Sequence, residues 1–197
     1  MPMIKDLISD ISWCSTVPSK DVIERAARIN LLLMDVDGVL TDGKVYYLPA
    51  PDGNAYECKS FHCHDGLGFN FLNECGIETG FISGRESQAV SEYAANKKVK
   101  YVFQGHLEKN SIYEKILADS KFTDAQIAYI GDDLTDVPLL KRAGLACTVA
   151  NARAEVKPYA HFITQVNGGQ GAVREIIELI LKAQNRWQSI LEKYQVV

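Results

Sequence analysis

Two aspartates, Asp35 and Asp37, end an apolar run that predicts a strand over about residues 31–36, and a glycine follows them. A short apolar run bounded by a turn signal is typical of a strand buried on both faces. Side chains alternate along a strand, so the two carboxylates point to the same side. They repel each other unless a cation lies between them or their pKa values separate. The pattern favours a site for acid–base or metal chemistry, and a solvated aspartate-rich turn is the simpler alternative.

Three further polar clusters follow apolar runs in the same way. Ser83 comes after residues 77–82, and Lys109 comes shortly after residues 99–103. Asp132, Asp133 and Asp136 come after residues 127–130. Strands that alternate with helices indicate a parallel sheet, whose carboxyl strand ends meet at one edge and form the binding crevice. We therefore expect all four clusters to share one crevice.

The residue types in this crevice indicate phosphoryl chemistry. Carboxylates without imidazole or thiolate suit a hard cation, which here means Mg²⁺. A lysine and a hydroxyl beside that ion suit an anionic group such as a phosphoryl group. A carboxylate can also attack phosphorus and form an aspartyl-phosphate. Each cluster alone is a weak signal, but the four in this order are a strong one.

The elements that position these clusters predict an α/β fold, a doubly wound parallel sheet with a small β-hairpin flap. Predicted strands cover about residues 31–36, 77–82, 99–103, 127–130, 145–149 and 161–163, and predicted helices cover about residues 67–76, 86–95, 109–119, 137–143 and 172–183. Two β-prone runs around a Pro/Gly turn predict the hairpin at about residues 44–61, placed over the site.

The chain divides into an N-terminal helical extension at residues 1–29, a core at residues 30–183 and a helical tail at residues 184–197. In the extension, helical spacing appears first at Ile4, Leu7, Ile8 and Ile11 and again from Val22 to Ala27, where Ser19 could cap the second segment. We assign no chemistry to this extension.

Composition excludes several classes of protein. The 197 residues are 47% hydrophobic and 23% charged, with a net charge of −4, which argues against nucleic-acid or membrane-surface binding driven by charge. No apolar run approaches a membrane span, and no signal-peptide pattern opens the chain. Five cysteines without a C-x-x-C pair fit reduced thiols and a cytoplasmic location.

His62, Cys63 and His64 invite comparison with a zinc site. Alternation on an extended segment would point both histidines the same way, but no further soft ligands cluster nearby in the sequence. We expect substrate contact or surface placement instead.

The motifs resemble those of the haloacid dehalogenase superfamily phosphatases, and more closely those of the 3-deoxy-D-manno-octulosonate 8-phosphate phosphatase family. The resemblance covers about residues 30–183. It rests on Asp35-x-Asp37-Gly38-x-x-Thr41-Asp42-Gly43, Phe61-x-x-x-Asp65-Gly66-x-Gly68, Ile82-Ser83-Gly84-Arg85, Lys109, Gly131-Asp132-Asp133-x-x-Asp136 and the segment from Gly168 to Glu175.

The resemblance implies a role for each matching residue. Asp35 would be the nucleophile, and Asp37 would protonate the leaving alcohol and then deprotonate water. Ser83 and Lys109 would hold the phosphoryl oxygens. Mg²⁺ would bind the carboxylates of Asp35 and Asp132 and the backbone carbonyl of Asp37. Asp133 and Asp136 would hold water, metal or lysine in place. The implied substrate-binding residues are His62, Cys63, His64, Asp65, Gly66, Arg85, Lys109 and Arg174.

The resemblance also implies an architecture and partners. It implies no large cap domain, a homotetramer in which a neighbour helps to close each site, and a phosphorylated sugar acid as the small-molecule substrate. Arg174 is then a candidate anion contact at a neighbouring site, and a surface charge in the first turn of a helix is the alternative.

Substrate choice is where this sequence departs from the pattern. His64, Asn70 and Tyr93 stand where some members of the family have arginines, and a guanidinium is not replaced conservatively at a carboxylate contact. A protonated His64 and Arg85 could take over that contact. The nearest alternative is a phosphatase of a nine-carbon ulosonate 9-phosphate, which tends to have Asp-Ser instead of Asp65-Gly66. Another phosphorylated sugar is a further alternative for the substrate.

Two alternative hypotheses come from other classes of protein. A response-regulator receiver domain also combines aspartates, a hydroxyl, a lysine and Mg²⁺, but its acidic pair and its phosphorylated aspartate lie on different strands. A catalytically silent oligomerisation domain is the second, and the intact set of Asp35, Asp37, Lys109 and Asp132 argues against it.

Overall fold

The structure, a computed structural model, describes residues 18–197. Six parallel strands form one sheet in the order β5-β4-β1-β6-β7-β8, and two antiparallel strands form a hairpin. The strands are β1 (Leu31–Met34), β2 (Tyr46–Pro49), β3 (Ala55–Cys58), β4 (Glu78–Ile82), β5 (Tyr101–Phe103), β6 (Ile127–Ile130), β7 (Leu145–Thr148) and β8 (Phe162–Ile163).

Helices cover both faces of the sheet. They are α1 (Lys20–Ala26), α2 (Cys63–Glu74), α3 (Gln88–Asn96), α4 (Asn110–Ser120), α5 (Val137–Leu140), α6 (Ala172–Ala183) and α7 (Trp187–Lys193). Among the described residues, no helix has the length and apolar run that crossing a bilayer requires.

Strand β1 shows why the sheet needs helices on both sides, since all four of its residues are buried. Leu32 and Met34 belong to the core beneath α1, α2, α3 and α6, whereas Leu31 and Leu33 belong to the core beneath α4 and α5. This alternation confirms the predicted α/β sheet that is buried on both faces.

The sheet order places β1 between β4 and β6, the strands that precede two of the other polar clusters. From β1 the chain moves outward through β4 and β5, then returns to the other side of β1 as β6. The strand order reverses there, and such a switch point is where open parallel sheets bind ligands. Asp35, Ser83 and Gly131 directly follow three neighbouring strands, β1, β4 and β6.

Some predicted boundaries differ from the structure. Strand β1 ends at Met34 instead of residue 36, because the Val36 carbonyl accepts hydrogen bonds from Leu40 and Thr41 in a turn. Helix α2 begins at Cys63, so Cys63 and His64 lie in a helical turn and not on an extended segment. Helix α5 ends at Leu140.

The N-terminal prediction is only partly within the described residues. Ser19 caps α1, where its side chain accepts a hydrogen bond from the backbone of Val22. The predicted helix around Ile4, Leu7, Ile8 and Ile11 lies outside the described residues. The division of the chain near residues 29 and 183 stays a prediction.

Candidate active site

Lys109 lies at the centre of a buried cluster at the carboxyl edge of the sheet. Its Nζ atom lies 3.0 Å from Asp35 Oδ1 and 2.7 Å from Asp136 Oδ1. The side chain of Lys109 is 1% exposed and that of Asp136 is fully buried. A buried charge needs partners of opposite sign, and here two carboxylates supply them.

Asp136 has no oxygen left for a metal ion. Its Oδ1 accepts hydrogen bonds from Lys109 and from the Tyr129 hydroxyl at 2.6 Å. Its Oδ2 accepts from the backbone N–H groups of Asp132 and Asp133, at 3.0 and 3.2 Å. Asp136 therefore fixes the lysine and the loop after β6.

Asp132, unlike Asp136, has a carboxylate oxygen without a hydrogen-bond partner. Carboxylate oxygens of Asp35 and Asp132 lie within 4.8 Å of each other and of an Asp136 oxygen, so the first two are close enough to share a metal ion. Asp132 Oδ1 is buried and has no hydrogen-bond partner. A buried polar atom without a partner is costly, so this oxygen is suited to a cation.

The charges of the cluster fit a divalent ion. When all three carboxylates are ionised, their charge exceeds that of the Lys109 ammonium by two negative charges. Burial, followed by the charges of Asp35, Asp136 and Asp133, raises the pKa of Asp132 to about 7. Burial raises the pKa of Asp35 to about 6, against the opposing charge of Lys109. Carboxylate oxygens are the ligands that Mg²⁺ prefers, so Asp35 and Asp132 fit it.

Glycines allow the loops of the site to pack closely. A β-carbon on Gly38, whose φ is +96°, would lie 2.2 Å from Asp132 Oδ2. A β-carbon on Gly168 would lie 1.7 Å from the Gly38 carbonyl oxygen, so the loop after β8 rests directly on the backbone of the aspartate loop. Only glycine fits at such close approaches.

The second aspartate of the pair, Asp37, meets the hairpin. Lys59, directly after β3, donates a hydrogen bond to Asp37 Oδ1. The Lys59 ammonium also lies 3.5 Å from Glu57 Oε1, and Glu57 Oε2 accepts from Arg85 at 2.9 Å. The hairpin thus contacts the site, as the predicted flap would.

This chain resembles known phosphatases. Residues 86–177 match the haloacid dehalogenase-like hydrolases. The 3-deoxy-D-manno-octulosonate 8-phosphate phosphatase of Yersinia pestis is 40% identical over 177 residues, 89% of this chain and 92% of the relative. The enzyme of that name from Escherichia coli K12 is 35% identical, over 90% of this chain and 93% of the relative.

A solved structure agrees with this result. It is that of the 3-deoxy-D-manno-octulosonate 8-phosphate phosphatase of Moraxella catarrhalis in complex with magnesium, phosphate and the sugar acid. Its TM-score is 0.83 at 35% identity, over 88% of this chain and 98% of that one. This chain belongs to the 3-deoxy-D-manno-octulosonate 8-phosphate phosphatase family. The predicted family and fold are thereby confirmed.

The structure brings some of the predicted site residues together. Asp35, Lys109, Asp132 and Asp136 form the buried cluster. Ser83 is buried directly after the neighbouring strand β4. Its hydroxyl accepts a hydrogen bond from the backbone N–H of Arg85. Asp133 is exposed and caps the turn that follows it, accepting from Leu134 N–H at 2.7 Å.

The predicted substrate-binding residues are more dispersed. Cys63 and His64 are exposed at the start of α2, and the ring of His62 lies 4.9 Å from that of His64. His64 and Arg174 line one groove of about 290 Å³. Arg174 pairs with Glu178 at 2.8 Å, and its guanidinium lies over the ring of Phe71.

Two predicted contacts have internal partners instead. Asp65 is fully buried and accepts a hydrogen bond from Arg174 N–H at 2.7 Å, so its carboxylate ties α2 to the first turn of α6. Gly66 is buried against Lys97 and Tyr93, since a β-carbon there would lie 3.2 Å from both side chains. Tyr93 itself stacks on Phe61, with ring centroids 4.0 Å apart.

The sequence does not reveal three residues of the site, Tyr129, Glu57 and Lys59. Tyr129 lies in β6 and is indistinguishable by pattern from its apolar neighbours. Glu57 and Lys59 alternate on β3 and the residue after it, as charges on the face of an ordinary exposed hairpin would. No sequence signal separates them from such charges.

Proposed function

We propose that this chain is a Mg²⁺-dependent phosphomonoesterase that hydrolyses 3-deoxy-D-manno-octulosonate 8-phosphate to the free sugar acid and phosphate. The observation that carries the proposal is the buried contact of Lys109 with Asp35 and Asp136, beside the partnerless oxygen of Asp132. The family relationship supports the same reaction.

The residues act in two steps. Asp35 attacks phosphorus, the bond to the ester oxygen breaks, and that oxygen takes a proton from the carboxyl of Asp37. Water then attacks the phosphorus of the aspartyl-phosphate and gives its proton to Asp37, and the Asp35 carboxylate is released. Lys109 and Ser83 hold phosphoryl oxygens in both steps, where fixed donors stabilise the developing charge.

The carboxylates of Asp35 and Asp132 and the backbone carbonyl of Asp37 would hold Mg²⁺, with Asp136 anchoring the loop behind them. When bound, Mg²⁺ would supply positive charge that stabilises the phosphoryl group during its transfer. Asp136 keeps Lys109 at the site in both steps, because its oxygens are fully used by donors of this chain.

The sugar acid would lie along the residues that flank the cluster. His64 and Arg174 line one groove, which also contains Glu175 and Glu178, and the guanidinium of Arg174 is the cationic partner that this groove offers a carboxylate. Arg85 is 46% exposed in its side chain and can also reach a ligand. His62, Cys63, Asp65 and Gly66 are the neighbours of His64 in the sequence.

We also propose that the chain forms a homotetramer, and the hairpin supports its association with further copies. Its strand register places Leu48 opposite Tyr56 and Tyr46 opposite Cys58, so these four side chains share one face. Tyr46, Leu48 and Tyr56 are each 48–60% exposed on that face. An exposed apolar patch is typical of an interaction site, here with further copies of the chain in the cytoplasm. Light scattering of Leu48→Ser should show dissociation relative to wild type.

The test of function is phosphate release with Mg²⁺ on the octulosonate 8-phosphate beside a panel of other sugar phosphates, including a nine-carbon ulosonate 9-phosphate. Asp35→Asn, which lacks the carboxylate nucleophile, is the negative control, called the blank below. We expect the octulosonate ester to exceed the others by at least about tenfold in kcat/KM and the blank to be inactive. Equal rates across the panel would contradict the substrate, and an active Asp35→Asn would contradict the mechanism.

A further inference from the structure

Lys59 is a buried cation at the foot of the hairpin. It follows β3 directly, and its side chain is fully buried. Its Nζ atom donates to Asp37 Oδ1 and lies 3.5 Å from Glu57 Oε1. Taking an ammonium out of water is costly unless carboxylates compensate it, so the buried Lys59 ammonium holds the Asp37 carboxylate beside it.

The network around Lys59 is balanced in charge. Asp37 and Glu57 are its carboxylates, and Lys59 and Arg85 are its cations, in an alternating chain. This balance contrasts with the excess negative charge around Lys109. The network therefore serves orientation and docking, whereas the other cluster is suited to a metal ion.

Each aspartate of the pair thus has a buried lysine of its own. Lys109 reaches Asp35 from the loop before α4, which belongs to the sheet domain. Lys59 reaches Asp37 from the hairpin. The position of the Asp37 carboxylate consequently depends on a segment outside the sheet, and Arg85, two residues beyond Ser83, holds that segment through Glu57 and the Tyr47 hydroxyl.

We propose that Lys59 is a positioning residue that fixes the Asp37 carboxylate for proton transfer and couples this transfer to the docked hairpin. The proposal rests on the proposed function, in which Asp37 exchanges a proton with the leaving alcohol. Lys59 donates to Oδ1 of Asp37 and thereby holds the carboxylate in one orientation.

The test compares two esters that differ in their need for a proton. An alkyl phosphate such as the octulosonate 8-phosphate expels a poor leaving group, whereas p-nitrophenyl phosphate expels one that is stable as an anion. In Lys59→Met, kcat/KM for the alkyl ester should fall by about 10²-fold, within the usual contribution of general acid catalysis, and that for p-nitrophenyl phosphate by less than about tenfold.

Two variants make the comparison specific. Lys44→Met removes an exposed lysine paired with Asp42 beside the same hairpin and should change both esters equally and by less than about twofold. Lys59→Arg keeps a cation in contact with Asp37 and should recover most of the alkyl rate. Lys59→Gln replaces Lys59→Met in the test if the latter does not fold.

The outcomes separate the two proposals. An equal fall for both esters in Lys59→Met, or a rise in KM at constant kcat, makes Lys59 a structural or substrate-binding residue and overturns the inference. Unchanged binding of phosphate and Mg²⁺ by calorimetry, together with the unequal fall, supports it. A wild-type protein that hydrolyses neither ester overturns the proposed function itself.

Discussion

The ammonium of Lys109 and the carboxylate of Asp136 lie 2.7 Å apart in a fully buried contact between the loop before α4 and the turn after β6. Asp136 is thereby the anchor of the site. It orients the lysine that faces Asp35, and through its second oxygen it fixes the backbone that carries Asp132.

Asp136→Asn should destabilise the protein strongly. Both oxygens of Asp136 accept from donors, so an amide NH₂ at either position would face another donor. Breaking a buried ion pair typically costs about 3–5 kcal/mol, and we expect a loss at the lower end of that range in urea unfolding. Glu114→Gln, which breaks an exposed pair with Arg142, is the control and should cost less than about 1 kcal/mol. Similar losses in the two variants would contradict the anchoring role.

Gly38→Ala should impair metal binding beyond its cost in stability. The new methyl group would overlap Asp132 Oδ2, which lies 2.2 Å from the β-carbon position. We expect Mg²⁺ affinity, measured by calorimetry, to fall by at least about tenfold, as for displaced metal-site geometry. Gly53→Ala is a matched control, because its φ is also positive, at +85°, but nothing lies within 4 Å of its β-carbon position. If both variants kept wild-type affinity, Asp132 would not be a ligand.

Without metal, the protein should lose stability as the pH rises. The pKa of Asp132 is about 7 and that of Asp35 about 6 in the fold, against an ordinary value of 3.8. Between these values the folded state holds protons that the unfolded chain has released, so the free energy of unfolding falls as pH rises through this window. One pKa unit corresponds to about 1.4 kcal/mol, and we expect a loss of at least about 2 kcal/mol between about pH 4 and pH 7.

Urea unfolding with a chelator at several pH values measures this slope. Asp132→Asn should make it shallower, since an amide does not titrate, while buried Asp65, with its pKa of about 6, keeps part of it. Mg²⁺ should stabilise the protein more at about pH 8 than at about pH 5, because the ligands must be deprotonated. If the free energy of unfolding of the metal-free protein did not change with pH, the crowding of carboxylates around Lys109 would be contradicted.

Asp65→Ala should lower the stability of the protein and not only its catalytic activity. The buried carboxylate accepts from Arg174 N–H at 2.7 Å, so its removal leaves the first turn of α6 without an acceptor. We expect about 1–3 kcal/mol less stability in thermal or urea unfolding. Asp133→Ala, at an exposed cap, is the comparison and should cost about 1 kcal/mol. An unchanged melting temperature with a raised KM would instead favour direct substrate binding by Asp65.

Much of the fold follows from the sequence because it depends on local patterns. The apolar run at residues 127–130 and the amphipathic run at residues 172–183 have the same bounds in the structure as in the prediction. The Pro/Gly turn between two β-prone runs predicted the hairpin, which the structure confirms. Once the sheet is parallel, the ends of β1, β4 and β6 meet without further information, and so do Asp35, Ser83 and Asp132.

The tertiary structure alone decided how those groups are partnered. Asp136 as an anchor and Lys59 as the partner of Asp37 depend on side chains that meet across 27 and 22 residues of chain. Such meetings depend on loop paths and on the docking of the hairpin, which leave no periodic trace in the sequence. The sequence by itself determined which chemical groups reach the crevice, because strand ends collect them, and the packing of loops and hairpin determined which group each of them touches.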